Sequence, residues 1–107
     1  LGIGQALLEE INYDEQGMNI SATLADYLLP TMDTVPMIEV KHIVTRNPNT
    51  PNGIKGMAEG PVQGAVASVA LAVQDALAQA GARLDQLPMT SSRVLEALRA
   101  AKGRADA

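Results

Sequence analysis

The stretch NTPNGIKGMAEGPVQGAVASVALAV, residues 49–73, decides the fold because it joins a polar loop to a long apolar segment. Proline, asparagine and glycine dominate residues 45–53, which is typical of a loop. From residue 62 onward, apolar side chains recur at intervals of three and four, which predicts a helix over residues 62–80. Pro61 suits the first turn of this helix, and Gly81 suits its C-terminal cap.

The predicted helix over residues 62–80 is apolar on nearly every side, and its side chains are mostly alanine and valine. A helix with this pattern is typically buried. Its small side chains also allow the backbone of a neighbouring element to approach closely. We therefore expect this helix to lie inside the protein. Polar residues interrupt the run, which argues against a membrane span: Gln63, Ser68, Gln74, Asp75 and Gln79.

Glu59 is the only acidic residue between residues 49 and 73, and two interpretations of it are open. A carboxylate beside a helix N-terminus is favoured by the helix dipole, so Glu59 could be purely structural. Alternatively, Gly53, Gly56 and Gly60 permit unusual dihedral angles and a close approach of a ligand, so Glu59 could be a catalytic base. The segment matches neither a phosphate-binding loop nor a dinucleotide-binding fingerprint. Local sequence alone does not decide between these interpretations.

The remaining elements are predicted from shorter patterns. Residues 1–11 have apolar side chains at helical spacing, and residues 12–20 indicate a surface hairpin or loop. Residues 36–44, PMIEVKHIV, alternate like a strand, and this is the best strand in the sequence. Thr90, Ser91 and Ser92 offer N-caps for a helix over residues 92–101, and we expect the chain to fray from Gly103 onward.

Composition limits the class of protein. The chain has 107 residues, of which 47% are hydrophobic, and we treat it as a single segment. Its net charge of −4 and its lack of Phe and Trp argue against nucleic-acid binding. There is no cysteine, and the single histidine, His42, falls on the aliphatic side of the predicted strand. We therefore expect a structural histidine there and no metal site formed by side chains.

Five motifs in a fixed order carry a family resemblance over roughly residues 2–95. They are GIGQALLEE, TLADYLLPT, PMIEV, TPNGIKGMAEGP and AVQDAL. In this order they resemble the C-terminal part of the molybdopterin-binding large subunit of xanthine dehydrogenases, aldehyde oxidases and carbon monoxide dehydrogenases. The resemblance implies an α+β fold for residues 1–107. In it, helices pack on a small sheet and form the C-terminal lobe of a molybdenum-cofactor-binding domain.

The resemblance also implies roles for residues in KGMAE. A Lys-Gly-x-Gly-Glu turn places a glutamate beside the molybdenum in that family, and Glu59 matches this glutamate. The family would make Glu59 the general base that takes a proton from a molybdenum-bound hydroxyl as a substrate carbon is oxidised. The matching cofactor-binding positions are Lys55, Gly56, Met57 and Ala58.

Two positions depart from the family pattern. Ala58 stands where the family usually has glycine, and it would be strained if that backbone required a positive φ. Leu1 stands where a glutamine that contacts the cofactor is common, so we assign Leu1 no role. Gln5 matches the later glutamine of the same motif.

The implied enzyme is a molybdenum hydroxylase, an oxidoreductase that uses water-derived oxygen, to which this chain contributes the base and part of the cofactor wall. Its cofactor would be molybdenum–molybdopterin, either plain or as the cytosine dinucleotide. Iron–sulfur clusters and FAD would lie on other domains or subunits, which would be its partners with the rest of the large subunit and a small-molecule substrate. We expect a cytoplasmic enzyme, with the periplasm left open. The alternative is a non-catalytic lobe that acts as an assembly or interaction module.

Overall fold

The structure, a computed structural model, describes residues 1–105. Within that range it has three α-helices, α1 (Gly2–Leu7), α2 (Gly60–Gln79) and α3 (Ser91–Ala105). A short 3-10 helix, Pro51–Gly53, lies in the loop before α2. The sequence prediction of α2 is confirmed to within two residues at each end, whereas α1 ends well before residue 11. The fraying predicted from Gly103 is wrong as far as Ala105, where α3 ends, and residues 106–107 lie outside the described range.

The predicted hairpin between α1 and the centre of the chain is confirmed. Tyr13 and Asn19 form an antiparallel bridge, and Gly17 closes the turn with a φ of 79°. The Asp14 carboxylate accepts hydrogen bonds from the backbone N–H groups of Gln16, at 3.0 Å, and Met18, at 2.8 Å. A short acidic side chain that binds its own turn in this way is a common reason for aspartate in such loops.

The strand predicted over residues 36–44 is wrong for this chain. These residues have no regular structure, and within the described range the helices do not pack on a sheet. The alternation of side chains in PMIEVKHIV favours a strand, but a strand also needs a neighbour to receive its backbone hydrogen bonds. None of the described residues supplies one.

Helix α2 ends in the way that its sequence predicts. Gly81 has a φ of 66°. The N–H of Gly81 donates to the carbonyl of Ala78 at 3.0 Å, and the N–H of Ala82 donates to the carbonyl of Leu77 at 2.9 Å. This pair of bonds is a Schellman motif, which satisfies carbonyl groups that the helix leaves free. Ala82 and Leu77 both belong to the core, so the cap also turns the chain toward α3.

The small core lies between the end of α2 and helix α3. Leu77, Ala82 and Ala101 are its buried members. Partly buried side chains pack around them, namely Val73, Leu84, Val94, Ala97 and Leu98. Burial of aliphatic surface at this point is the main attraction between the two helices. Beside the core, side chains of all three helices border an open apolar cavity of about 430 Å³, among them Leu7, Val73 and Leu98.

The prediction that α2 is buried is wrong for the chain taken alone. Of its residues only Leu77 is buried, and Leu71 is 69% exposed. The sequence correctly indicates an apolar helix, but the described residues form too little structure to cover it. In length and mean hydropathy α2 also meets the measure of a membrane-crossing helix, which core helices of soluble proteins meet as well.

Helix α1 is held by contacts from distant parts of the chain. Arg93, on α3, forms an ion pair with Glu10 at 2.5 Å, and both side chains are largely shielded from solvent. The same guanidinium donates to the carbonyl of Pro88 at 2.9 Å, and the N–H of Met89 donates to the carbonyl of Ala6 at 2.7 Å. These bonds fix α1 against the segment that leads into α3.

A second polar contact ties the chain after the hairpin to the residues after α1. The Tyr27 hydroxyl donates a hydrogen bond to Glu9 Oε2 at 2.7 Å. This bond, then burial, then the negative charge of Glu9 raise the pKa of the Tyr27 phenol above its ordinary value of 10.0. Because the folded state holds this proton more tightly, the stability that it contributes is fully present below pH 10.0. It is lost as the pH rises through the folded-state pKa.

We therefore expect the Tyr27 phenol to titrate above pH 10.0. The measurement is the tyrosinate absorbance of the wild-type chain minus that of Tyr27→Phe, which leaves only Tyr13. Glu9→Gln removes the charge that opposes ionisation and should move the midpoint of Tyr27 back down. A midpoint at or below the ordinary value in the wild-type chain would contradict the contact between Tyr27 and Glu9.

Candidate functional site

The start of α1 lies directly against the first turns of α2, and Gly2 makes this approach possible. A Cβ atom added at Gly2 would lie 2.6 Å from the Cβ of Ala65 and 2.9 Å from the carbonyl oxygen of Val62. Real Cβ atoms do not approach other atoms so closely, so only glycine fits here. Gly2 is therefore the residue that lets the two helices pack closely.

Replacing Gly2 by alanine is expected to destabilise this junction by about 1–3 kcal/mol, the usual cost of overpacking a tight contact. Gly64→Ala is the matched control, because a Cβ there meets no atom within 4 Å and lies inside α2. Alanine should stabilise that helix by about 0.5–1 kcal/mol. Urea unfolding of the two variants should give shifts of opposite sign, and equal shifts would contradict the described packing.

An open cleft of about 230 Å³ lies at this junction. Its walls come from the first three residues of the chain and from the first turns of α2, namely Leu1, Gly2, Ile3, Pro61, Val62 and Ala65. Leu1 is 74% exposed there. The structure therefore brings Leu1 next to the first residues of α2, which follow Glu59.

Glu59 is the N-cap residue of α2. Its side chain is exposed and makes no capping hydrogen bond to the helix. No ion pair within the described range includes it. A carboxylate that is placed at the start of a helix only to cap it would accept a bond from a free N–H group of the first turn. Glu59 does not, so the purely capping interpretation has no contact to support it.

The loop before Glu59 is held by its own hydrogen bonds. Asn52 has a φ of 57° and Gly53 a φ of 73°, and these values bend the chain sharply. The Thr50 hydroxyl donates to the carbonyl of Ile54 at 2.7 Å. The Lys55 ammonium donates to the hydroxyl of Thr45, which closes the loop at its base. Lys55 therefore binds the preceding segment and forms no ion pair with Glu59.

The backbone between this loop and α2 offers hydrogen-bond donors. The N–H groups of Lys55, Gly56, Met57 and Ala58 have no acceptor within residues 1–105. Their residues are exposed, and a Cβ added at Gly56 would meet nothing within 4 Å. A backbone N–H group needs an acceptor, and because these four groups are exposed, water or a ligand can supply it. Residues 55–58 are thus suited to contact an oxygen-rich ligand through the main chain.

The strain considered for Ala58 is not present. Asn52 is the only residue other than glycine with a positive φ among residues 1–105, so Ala58 lies outside the left-handed region. The glycines next to it, Gly56 and Gly60, also have no positive φ. Alanine is therefore compatible with this turn, and its departure from the family pattern has no conformational cost here.

His42 does not have the structural role predicted for it. It is exposed, and no described side chain hydrogen bonds to it. The reason is that the predicted strand, whose aliphatic side would have shielded it, does not form. The described residues contain no group of three or more His, Cys, Asp or Glu side chains that could hold a metal ion. The site could therefore contact a metal-bearing cofactor but has no ligand set of its own.

Sequence reasoning missed the polar contacts that set the position of α1. Arg93 and Glu10 are 83 residues apart, and their charges alone do not distinguish them from the other charged residues of the sequence. The sequence also gives no partner for Tyr27 or Asp26. In the structure the Tyr27 hydroxyl donates to Glu9, and the Thr23 hydroxyl donates to Asp26. For the contact between the starts of α1 and α2, the sequence signal is the pair of glycines Gly2 and Gly4 in α1.

Comparison with known proteins identifies this fold and site as a segment of a molybdenum-cofactor-binding domain. A family model described as a molybdopterin cofactor-binding domain matches residues 1–36. The nicotine 6-hydroxylase large subunit of Paenarthrobacter nicotinovorans is 42% identical over 105 residues, which are 98% of this chain and 12% of that protein. The carbon monoxide dehydrogenase large chain of Hydrogenophaga pseudoflava is 39% identical over 98 residues, 92% of this chain and 12% of the relative.

A solved structure agrees with these relatives. The quinoline 2-oxidoreductase from Pseudomonas putida 86 matches with a TM-score of 0.81 and 42% identity, over 92% of this chain and 13% of that one. The chain therefore belongs to the family of molybdopterin-binding large subunits and spans about an eighth of the length of the relatives that it matches. The family resemblance identified from the five motifs is confirmed.

Proposed function

We propose that this chain is the C-terminal lobe of the cofactor-binding domain in a molybdenum hydroxylase, an oxidoreductase that oxidises a substrate carbon with water-derived oxygen. The observation that carries the proposal is the position of Glu59. It is an exposed carboxylate without a partner among the described residues, fixed at the N-terminus of a long helix. It lies two residues before Pro61, which borders the cleft between α1 and α2.

The residues around Glu59 fit an organic cofactor that carries its own metal. Four unpaired N–H groups at residues 55–58 match the oxygen and nitrogen acceptors of a pterin with its phosphate. The open space at Gly56 and Gly60 leaves room for close contact. We therefore assign cofactor contact to the main chain of Lys55, Gly56, Met57 and Ala58. When bound, the molybdenum cofactor supplies the two-electron oxidation.

The chemical role of the chain itself is proton transfer. A Glu59 carboxylate oxygen takes the proton from the water-derived nucleophile as that nucleophile attacks the substrate carbon. General-base catalysis of this kind requires a carboxylate within hydrogen-bond reach and held in one direction. The helix start provides this rigidity, since the backbone of Glu59 already accepts a helical hydrogen bond from Val62 at 3.1 Å. The loop closed by Lys55 and Thr45 restrains the other side.

The alternative of a non-catalytic assembly module is not favoured. The relatives named above are a hydroxylase, a dehydrogenase and an oxidoreductase, and the matches cover 98%, 92% and 92% of this chain. Because these enzymes are named for nicotine, carbon monoxide and quinoline, we infer that the shared segment supplies chemistry common to them and not substrate selection.

The rest of the enzyme follows as part of the same proposal. The cofactor is molybdenum–molybdopterin, in the plain or the cytosine dinucleotide form. The partners of this chain are the remainder of the large subunit and the subunits or domains that carry iron–sulfur clusters and FAD. The proposed location of the enzyme is the cytoplasm. The test is Glu59→Gln in the complete enzyme, with turnover and molybdenum content measured together. Normal turnover at full molybdenum content would refute the assignment.

A further inference from the structure

The Glu9 carboxylate lies against the first turn of α1, in a space that exists only because residue 4 is glycine. A Cβ atom added at Gly4 would lie 2.0 Å from Glu9 Oε1 and 2.9 Å from Cδ of Pro30. The other oxygen, Oε2, accepts the 2.7 Å hydrogen bond from the Tyr27 hydroxyl. One carboxylate therefore contacts α1 at Gly4 and is anchored by Tyr27 at the same time.

The first turn of α1 is held from two nearly opposite sides. Gly2 lies against Ala65 and Val62 at the start of α2. Gly4, two residues later, lies against Glu9. Positions two residues apart in an α-helix point about 200° apart around the axis, because one turn takes about 3.6 residues. The turn is therefore enclosed between α2 on one side and the Glu9 carboxylate on the other.

Glu9 Oε1 is in an unfavourable environment for a carboxylate oxygen. It is closed to solvent and has no hydrogen-bond partner among residues 1–105. No ion pair within that range includes Glu9, since the neighbouring ion pair of Arg93 is formed with Glu10. An apolar side chain of similar volume would avoid the cost of an unpaired polar atom, and polar groups kept at such a cost are typical of functional sites. The carboxylate is thus better explained by what it positions than by the stability that it adds.

A change at Gly4 is close enough to reach the candidate site. Helix α1 has 6 residues and is therefore only about 9 Å long. The residues just before Gly4, residues 1–3, form one wall of the cleft of about 230 Å³. The other wall begins at Pro61, two residues after Glu59. The position of the first turn of α1 therefore sets the shape of the cleft beside the proposed base.

We propose that Glu9 is a positioning residue of this site: its carboxylate, anchored by Tyr27, fixes the first turn of α1 against α2 and so sets the geometry of the cleft beside Glu59. The proposal rests on the proposed function, because it concerns how the cleft is aligned with the general base. Glu9 does not border the cleft and acts only through α1. Its loss should therefore misalign the reacting groups, and a displacement of about 1 Å can lower the rate by about 100-fold.

The rest of α1 has its own attachments, which makes positioning separable from unfolding. The N–H of Met89 donates to the carbonyl of Ala6, and Arg93 pairs with Glu10 just after the helix. Neither contact involves the side chain of Glu9 or the first turn. Truncation of Glu9 should therefore leave α1 attached to the segment that leads into α3, while its first turn loses one of its two supports.

The test is Glu9→Ala in the complete enzyme, with kcat, KM and molybdenum content measured together. The kcat per bound molybdenum should fall by about tenfold or more, whereas KM should change by less than about threefold, because alignment and not substrate contact is lost. Glu9→Gln has nearly the same shape and still accepts the hydrogen bond from Tyr27, so it should keep kcat within about threefold of the wild type. A wild-type kcat per bound molybdenum in Glu9→Ala would overturn the proposal, and so would equal losses in the two variants.

Glu15→Ala is the matched control. Glu15 is an exposed glutamate in the hairpin turn, and no described residue forms an ion pair with it. Its truncation should leave kcat within about twofold of the wild type. If Glu9→Ala prevents folding, Tyr27→Phe decides the question, because it removes the anchor of the carboxylate and leaves the ring in place. That variant should also lower kcat per bound molybdenum, and a wild-type value would overturn the proposal.

Gly4→Ala tests the same contact from the side of the helix. The added methyl group would take the place of Glu9 Oε1, and the carboxylate, at the end of a flexible side chain, would move away. The variant should therefore lower kcat as Glu9→Ala does. The double variant should lose less than the product of the two single effects, because both changes remove one contact. A loss equal to the product would overturn the contact between Gly4 and Glu9.

Failure of this proposal is distinguishable from failure of the proposed function. If the base assignment fails, Glu59→Gln remains active while Glu9→Ala is still impaired. If the positioning role fails, Glu9→Ala keeps its kcat per bound molybdenum in an enzyme that still depends on Glu59.

Discussion

Replacing Glu59 by glutamine in the complete enzyme is expected to lower kcat by about 10²–10⁴-fold, the usual contribution of a general base. Glutamine has nearly the same shape as glutamate and can accept a hydrogen bond, but it cannot take up a proton at neutral pH. The expected loss therefore measures proton transfer and not packing. KM should change little, because Glu59 acts on the reacting proton and not on the bulk of the substrate.

The structure gives a reason to expect that this variant folds normally. Glu59 makes no capping hydrogen bond and no ion pair among the described residues, so glutamine disrupts no contact of the chain. The backbone bond from Val62 to the Glu59 carbonyl does not depend on the side chain. Molybdenum content and the melting temperature should therefore equal those of the wild-type enzyme.

Glu96→Gln is the matched control for this experiment. Glu96 is an exposed glutamate inside α3, and the same chemical change there should leave kcat within about twofold, since surface substitutions rarely have larger effects. A Glu59→Gln enzyme with full molybdenum and wild-type kcat would contradict the assignment. If instead molybdenum is lost, Glu59 contributes to cofactor retention, and the kcat per bound molybdenum then tests its role as base.

The parts of the fold that sequence predicts well are those set by neighbouring residues. Pro61 and Gly81 mark the two ends of α2. Pro61 acts through its fixed φ and its missing N–H, and Gly81 through its positive φ and a bond to Ala78. The hairpin around Gly17 follows from the same kind of local signal, since Asp14 binds its own turn. Local hydrogen bonds of this kind form in any context, so a single sequence suffices to place them.

The errors concern features that depend on distant partners. The alternation in residues 36–44 favours a strand, and the apolar surface of α2 favours burial, but each needs a second surface that this chain lacks among its described residues. The predicted structural role of His42 is wrong for the same reason, because the strand that would have shielded it does not form. A sequence pattern indicates which structure a segment favours. Whether the segment forms that structure depends on whether a partner strand or surface lies next to it.

For the site, sequence and structure contribute different things. The order of motifs indicates the family, and with it the proposed role of Glu59. The structure adds that the start of α1 and the start of α2 meet at one cleft through Gly2, and that residues 55–58 carry free donors. Neither fact follows from residue spacing. Gly2 and Ala65 are far apart in the chain, and the N–H groups of residues 55–58 are free only because the loop forms no hydrogen bonds to them.

Replacing Leu77 by alanine is expected to lower the free energy of unfolding of the chain by about 2–5 kcal/mol, the usual cost of a buried leucine. Leu77 is 4% exposed and is the largest buried member of the cluster that joins α2 to α3. The core is small, so its other side chains cannot spread to fill the space. A domain is typically stable by only about 5–15 kcal/mol, so most of the helical circular dichroism should disappear at a much lower urea concentration.

Leu71→Ala on the same helix is the control, and it separates two explanations of the exposed surface of α2. Leu71 is 69% exposed in this chain, so its truncation should cost less than about 0.5 kcal/mol here. In the complete large subunit the same change should lower the melting temperature clearly, because an apolar helix with this much exposed surface is expected to be covered by the remainder of the subunit. A small effect in both contexts would mean that α2 faces solvent in the enzyme, and equal effects of Leu71→Ala and Leu77→Ala in the isolated chain would contradict the described core.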